Sequence, residues 1–135
     1  MKYVFYCYGH HNIRATHYKT IEFTKDPELT VRGDCIVGVK ANFDSSELKK
    51  LSGNVKVTVE VGTLKDTFKA VINPCFDGEN EIVFRKSKYN SKRTLGIRSN
   101  KGSNKLDRNI VQLMQNPDTV MKVIIEEIKG DSSGL

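Results

Sequence analysis

The side chains best suited to chemistry lie within the first 35 residues of the chain: His10, His17, Glu22 and Asp34. Histidine titrates near neutral pH and a carboxylate can orient it, so these four residues could perform general acid–base catalysis. Imidazole and carboxylate groups also bind divalent metals, which makes His10, His17 and Asp34 candidate ligands. Their spacing matches no zinc signature such as HxxxH or CxxC, so a metal stays an open alternative and no motif requires a cofactor.

Cys35, next to Asp34, is a poor candidate for a nucleophile because an adjacent carboxylate disfavours the thiolate. A structural thiol is the better interpretation. The cysteines are three in number, Cys7, Cys35 and Cys75, and predict neither a disulfide framework nor a zinc site, which fits a reducing cytosol. The sequence contains no P-loop, GxGxxG, GxSxG or HExxH motif. It therefore gives no motif evidence for ATP hydrolysis by the P-loop route, Rossmann cofactors or zincin chemistry.

A second group of residues could bind anions. Residues 85–108 carry nine basic side chains and one acid, Asp107, so their net charge is +8 in a chain of +6. We call this segment the basic strip; its members are Arg85, Lys86, Lys88, Lys92, Arg93, Arg98, Lys101, Lys105 and Arg108. Such a density attracts phosphates by long-range electrostatics, although it could equally be a solvated charged face.

The predicted anion contacts within the strip are Arg93, Arg98, Lys101 and Arg108. Backbone amides after Gly102-Ser103, where a helix is predicted to begin, could add to them. Tyr89 is the single aromatic residue of the strip, so stacking on bases has little support there. The strip therefore predicts a nucleic acid or another phosphorylated partner held mainly through its phosphates.

The elements that must position these residues are short strands. Alternating side chains predict strands at 2–8, 16–24, 34–41, 81–86, 93–99 and 119–128, and helical spacing predicts helices at 42–53 and 104–115. The clearest pattern is the alternation of valines from Val55 to Val61, followed by Gly62-Thr63. It predicts a hairpin over 54–72 with a type II′ turn that pairs Val61 with Leu64.

These elements predict a single mainly β domain over residues 1–129, with two helices and a disordered tail at 130–135. The simplest arrangement is an antiparallel β-sandwich, and an OB-like fold is the alternative. We expect a cytoplasmic protein without a membrane partner, because the sequence shows neither a long apolar run nor a signal peptide. The oligomeric state is not indicated.

Two groups of residues form a pattern much longer than a short motif. The first comprises Gly9, His10, Asn12, Ala15, Thr16, His17, Thr20, Glu22, Thr24, Leu29, Thr30, 33–39 and Ala41. The second comprises Arg93, Thr94, Leu95, Ile97, Arg98, Lys101, Leu106, Asp107 and Arg108. This pattern resembles the archaeal domain-of-unknown-function 371 family. The resemblance implies a small, jelly-roll-like β-sandwich and an archaeal source, and it implies no established activity.

Two hypotheses of function follow. The first is a binding module that holds a phosphate-bearing partner, a nucleic acid or a nucleotide, through the basic strip. The second is a small enzyme with a site at His10, His17, Glu22 and Asp34, in which Arg98 and Lys101 hold an anionic substrate. An enzyme requires the histidines and the strip to converge on one pocket, whereas a binding module can present an open face.

Overall fold

The structure is a computed structural model, and it describes residues 1–129. The described part of the chain forms eight strands, two α-helices and one 3₁₀ helix. They are β1 (Lys2–Tyr8), β2 (Thr20–Thr24), β3 (Ile36–Gly38), α1 (Ser45–Leu48), β4 (Asn54–Val61), β5 (Leu64–Ile72), β6 (Glu81–Arg85), β7 (Thr94–Ile97), the 3₁₀ helix (Ser103–Lys105), α2 (Arg108–Leu113) and β8 (Val120–Glu127). The tail predicted at 130–135 lies outside the described residues.

All eight strands belong to one sheet, in the order β1-β8-β4-β5-β7-β6-β2-β3. Neighbouring strands are antiparallel except for the parallel pairs β2–β3 and β6–β7. The two ends of the sheet meet, because Tyr8 of β1 and Val39, just after β3, exchange backbone hydrogen bonds of 2.7 and 2.8 Å. The prediction of a small, mainly β domain with two helices is confirmed. The single sheet does not confirm the jelly-roll arrangement that the resemblance implied.

The curled sheet encloses an aromatic core. Phe5, Phe23, Phe68 and Phe84 are buried and contact one another edge to face, with ring centroids 5.5 Å apart for Phe5–Phe23, 6.3 Å for Phe23–Phe84 and 5.1 Å for Phe68–Phe84. Edge-to-face contacts place the positive rim of one ring on the negative face of the next and add to the gain from burial. Because side chains alternate between the two faces of a strand, the neighbours of each phenylalanine point away from this core, and on β2 these neighbours, Glu22 and Thr24, are buried as well.

The predicted hairpin is confirmed residue by residue. Val61 pairs with Leu64, Val57 with Phe68 and Val55 with Ala70. Gly62 has φ of 58°, the positive value that the first central residue of a type II′ turn requires. The odd member of this register is Asp66, which lies opposite Val59, between the apolar pairs Val57–Phe68 and Val61–Leu64.

Several predicted elements are shorter than the sequence suggested; the first helix, predicted at 42–53, covers Ser45–Leu48, and the strand predicted at 93–99 covers Thr94–Ile97. The second strand begins at Thr20, because Ala15 has φ of 50° and the N–H groups of Thr16 and His17 are bound by the carbonyl oxygen of Asp34. The third strand covers Ile36–Gly38. The last helix begins at Arg108, where the carboxylate of Asp107 accepts two N–H groups of the first turn and so caps it.

Candidate functional site

His10 is a buried side chain with both ring nitrogens occupied. Its Nδ1 accepts the N–H of Asn12 at 3.0 Å, so the proton of the neutral ring lies on Nε2, which donates to Glu28 Oε1 at 2.9 Å. This hydrogen bond from His10 holds the pKa of Glu28 below its ordinary value. His10 therefore fixes the loop that carries Glu28, and the structure does not place its ring nitrogens toward a further group.

His17 and Asp34 are brought together through their backbones. The carbonyl oxygen of Asp34 accepts the N–H of His17 at 3.3 Å, and the hydroxyl of Ser103 accepts the same N–H at 2.9 Å. His17, Asp34 and Ser103 have the composition of a catalytic triad but not its geometry. The Ser103 hydroxyl is fully buried and bonds to backbone atoms, and His17 Nδ1 accepts the N–H of Lys19 at 3.1 Å.

Glu22 lies in a different cluster, on the face of β2 opposite to Phe23. Its Oε1 accepts the thiol of Cys35 at 3.5 Å and lies 3.6 Å from Arg93 Nη1, which also contacts Glu81 Oε1 at 2.9 Å. Burial, and then the hydrogen bond and negative charge of Glu81, raise the pKa of Glu22 to about 7. Burial and the charge of Glu22 raise the pKa of Cys35 to about 12, which fits a structural thiol.

The four residues of the predicted catalytic site thus occupy three local environments: His10 with Glu28, His17 beside Asp34, and Glu22 with Cys35. Sequence reasoning missed Glu81, which reaches Glu22 only because β6 pairs with β2. In residues 1–129, no cluster of three or more His, Cys, Asp and Glu side chains is arranged to hold a metal ion. The metal hypothesis for His10, His17 and Asp34 gains no support and stays a hypothesis.

Most of the predicted anion contacts already bind groups of the protein. Arg93 contacts two carboxylates, and Lys101 Nζ contacts Asp66 Oδ1 at 2.7 Å. The guanidinium of Arg108 donates to the carbonyl oxygens of Leu106, Ala15 and Ser103 at 2.8 to 3.0 Å. Arg98 differs from these three, because its side chain is exposed and makes no hydrogen bond or ion pair with residues 1–129.

Arg98 lines an open cleft of about 260 Å³ on the outside of the sheet. Two further cations, Lys69 of β5 and Lys129 after β8, lie in the same wall with the amides of Asn54 and Asn100. Asn100 is fixed there, since it exchanges hydrogen bonds with the backbone of Lys69 at 2.9 and 3.0 Å. Among the described residues that line the cleft, none is acidic. We call it the basic cleft.

Sequence reasoning found Arg98 but missed Lys69 and Lys129, which lie outside the strip. A second, much smaller cleft of about 30 Å³ lies near Pro74 and Phe76. Neither cleft is lined by His10, His17, Glu22 or Asp34. None of the helices within residues 1–129 has the length and hydropathy of a membrane span.

The fold and this surface define a small, mainly β protein that presents an open, positively charged cleft. The family model for the domain of unknown function DUF371 matches residues 5–128, and the chain belongs to that family. It is similar to the uncharacterized protein MJ0206 of the archaeon Methanocaldococcus jannaschii, with 34% identity over 135 residues that cover 93% of this chain and 100% of the relative. The resemblance noted in the sequence is thereby confirmed. The family description states no activity.

Proposed function

We propose that this protein is a binding module for a phosphate-bearing partner, a nucleic acid or a nucleotide, and that the partner's phosphates enter the basic cleft. The observation that carries the proposal is the lining of this cleft: Lys69, Arg98 and Lys129 with two asparagine amides and no carboxylate. Arginine offers a planar fork of donors for phosphate oxygens, and lysine adds a mobile point charge.

The cleft is a better candidate than the whole basic strip. A cation that already contacts a carboxylate loses most of its attraction for a phosphate, and a phosphate would have to compete with Asp66 for Lys101 and with Glu22 and Glu81 for Arg93. Arg98 faces no such competitor among residues 1–129. The openness of the site also suits a long, flexible ligand better than a small substrate that must be enclosed for catalysis.

A double variant, Lys69→Ala with Arg98→Ala, should bind a polyanion with a weaker dependence on salt than the unmodified protein does. The probe is a fluorescent chain of about 12 abasic phosphodiester units, which offers phosphates and no bases. Because each lost phosphate contact lowers the salt dependence by roughly 0.7 for a single strand, the slope of log affinity against log salt should flatten by roughly 1.4. Fluorescence anisotropy at several salt concentrations measures this slope.

The matched control is Lys86→Ala with Lys88→Ala, which removes the same charge from exposed positions of the strip outside the cleft. It should leave the slope unchanged. If both double variants flatten the slope equally, the cleft is not the binding site, and the whole basic strip would attract the phosphates without a defined site. If the unmodified protein binds the abasic chain with no salt dependence even at low ionic strength, the binding module is wrong and the enzyme hypothesis moves ahead.

A further inference from the structure

We propose that the partner is a single-stranded RNA, and that Tyr6 and Tyr8 stack on two of its bases while its phosphates continue toward the basic cleft. This inference rests on the proposed function and names the partner more closely. The surface that carries it is the side of β1, β8, β4 and β5 that points away from the core, which we call the outer face.

Tyr6 and Tyr8 are alternate residues of β1, so both rings point outward while Phe5 and Cys7 between them point into the core. They are 42% and 39% exposed, and neither ring pairs with another aromatic ring in residues 1–129. Tyr3, on the inner side, differs: its hydroxyl accepts the N–H of Asp44 at 2.7 Å. Packing therefore explains Tyr3 but not the two exposed rings.

The spacing of the two rings suits successive unstacked bases. Residues two apart on a strand lie roughly 6.7 Å from one another, about the span of one nucleotide in a strand whose bases are splayed apart. Every base has a flat π-face, so an exposed aromatic side chain is a platform for bases of any sequence. A duplex hides these faces inside its stack, and the pair of tyrosines therefore favours a single strand.

The charges of the outer face provide a path for the phosphates. Lys122 lies directly across from Tyr6, and Lys2, Lys69 and Lys122 make no ion pair within residues 1–129. The two acids on this face are Glu60 and Glu126, and each already contacts a lysine, Lys65 at 3.6 Å and Lys56 at 3.9 Å. The uncompensated charge of the outer face is therefore positive, which attracts a polyanion and repels a second copy of this chain.

The two ends of this path are close enough for one short strand. From Lys122 of β8 to Ile128 at the basic cleft is a rise of roughly 20 Å, which three to four extended nucleotides can span. The hydroxyls of Tyr6, Tyr8 and Thr67 lie on the outer face and make no hydrogen bond within the described residues. They can pair with the 2′-hydroxyl that distinguishes RNA from DNA, and for this reason we commit to RNA.

The experiment compares a labelled, mixed-sequence RNA of about 12 nucleotides with a DNA of the same sequence and with the abasic chain. Tyr6→Ala and Tyr8→Ala should each weaken RNA binding by about tenfold, because that is the typical loss when a stacking platform is removed. Both should leave the affinity for the abasic chain unchanged. Tyr6→Phe and Tyr8→Phe keep the stacking platform and lose only the hydroxyl, so they should bind RNA more tightly than the alanine variants do, with a smaller preference for RNA over DNA than the unmodified protein has. All four replacements are at exposed positions, so the fold should persist.

The matched control is Tyr89→Ala, which removes a tyrosine that is 62% exposed and lies in the basic strip, off the outer face. It should not change RNA binding. If Tyr6→Ala and Tyr8→Ala bind RNA as well as the unmodified protein does, the two tyrosines do not stack on bases. The proposed function is tested separately, by the salt dependence of binding to the abasic chain. DNA that binds as tightly as RNA would overturn the choice of RNA. A dimer in light scattering that both replacements abolish would assign the rings to self-association instead.

Discussion

Replacing Gly9 with alanine should lower the free energy of unfolding by about 3 kcal/mol or more, because the added methyl group has no room. A Cβ at this position would overlap the carbonyl oxygens of Met114 and Asn116. Both oxygens are already acceptors, for the N–H groups of His10 at 2.8 Å and Thr119 at 3.0 Å. The backbone therefore cannot move away without breaking the bond that ties His10 to the segment between α2 and β8, or the bond that closes the turn of that segment.

The control for this prediction is Gly53→Ala. Gly53 has φ of 75° and would have nothing within 4 Å of an added Cβ, so only the backbone conformation opposes alanine there. That conformation costs an L-residue about 1 to 2 kcal/mol. Urea denaturation of the two variants measures both losses. Equal losses would show that the segment after α2 yields easily, and that Gly9 is present for its backbone freedom alone.

The crowding at Gly9 explains part of the pattern by which the sequence resembled its family. Gly9 and His10 adjoin in the chain, and the structure uses them together: the glycine lets β1 end against Met114, and the histidine then reaches Glu28. Two residues that look reactive by their types thus both have structural contacts at this position. Histidine and glycine in a loop are by themselves weak evidence of catalysis, because both also solve structural problems.

Local patterns in the sequence were sufficient for the hairpin and for the end of β1. The pairing of β4 with β5 could be predicted correctly because strict alternation fixes the face of each residue and the Gly62-Thr63 turn fixes the register. Neither argument needs any residue more than a few positions away. The exception, Asp66, was visible as a polar residue on an apolar face, but its partner Lys101 was not, since 35 residues separate them.

The side-chain clusters around Arg98 and Glu22 depend on strand order, which alternation does not reveal. Lys69 and Arg98 share the basic cleft because β7 pairs with β5, and Glu81 meets Glu22 because β6 pairs with β2. The basic strip was defined along the chain, whereas its members diverge in space: Lys101 binds Asp66, Arg108 binds carbonyl oxygens and Arg98 faces the cleft. A cluster of basic residues along the sequence therefore does not by itself predict a positively charged surface.

The last prediction is that the protein becomes less stable as the pH rises from 5 to 8, and that Glu22→Gln removes most of this loss. The pKa of Glu22 is raised from 4.5, its ordinary and unfolded value, to about 7. Below pH 4.5 the carboxyl is protonated in both states, so the shift costs nothing. Between these two values only the folded state holds the proton, and stability falls with pH until Glu22 ionises in the folded protein as well.

The expected loss is up to about 3 kcal/mol, since one pKa unit corresponds to about 1.4 kcal/mol. Urea denaturation at intervals of pH compares the unmodified protein with Glu22→Gln, whose neutral amide should give a nearly flat profile. Asp77→Asn is the control, because Lys49 holds the pKa of Asp77 below its ordinary value and so outside this range. It should reproduce the fall of the unmodified protein. Parallel profiles for the unmodified protein and Glu22→Gln would mean that Arg93, 3.6 Å away, keeps Glu22 ionised throughout this range.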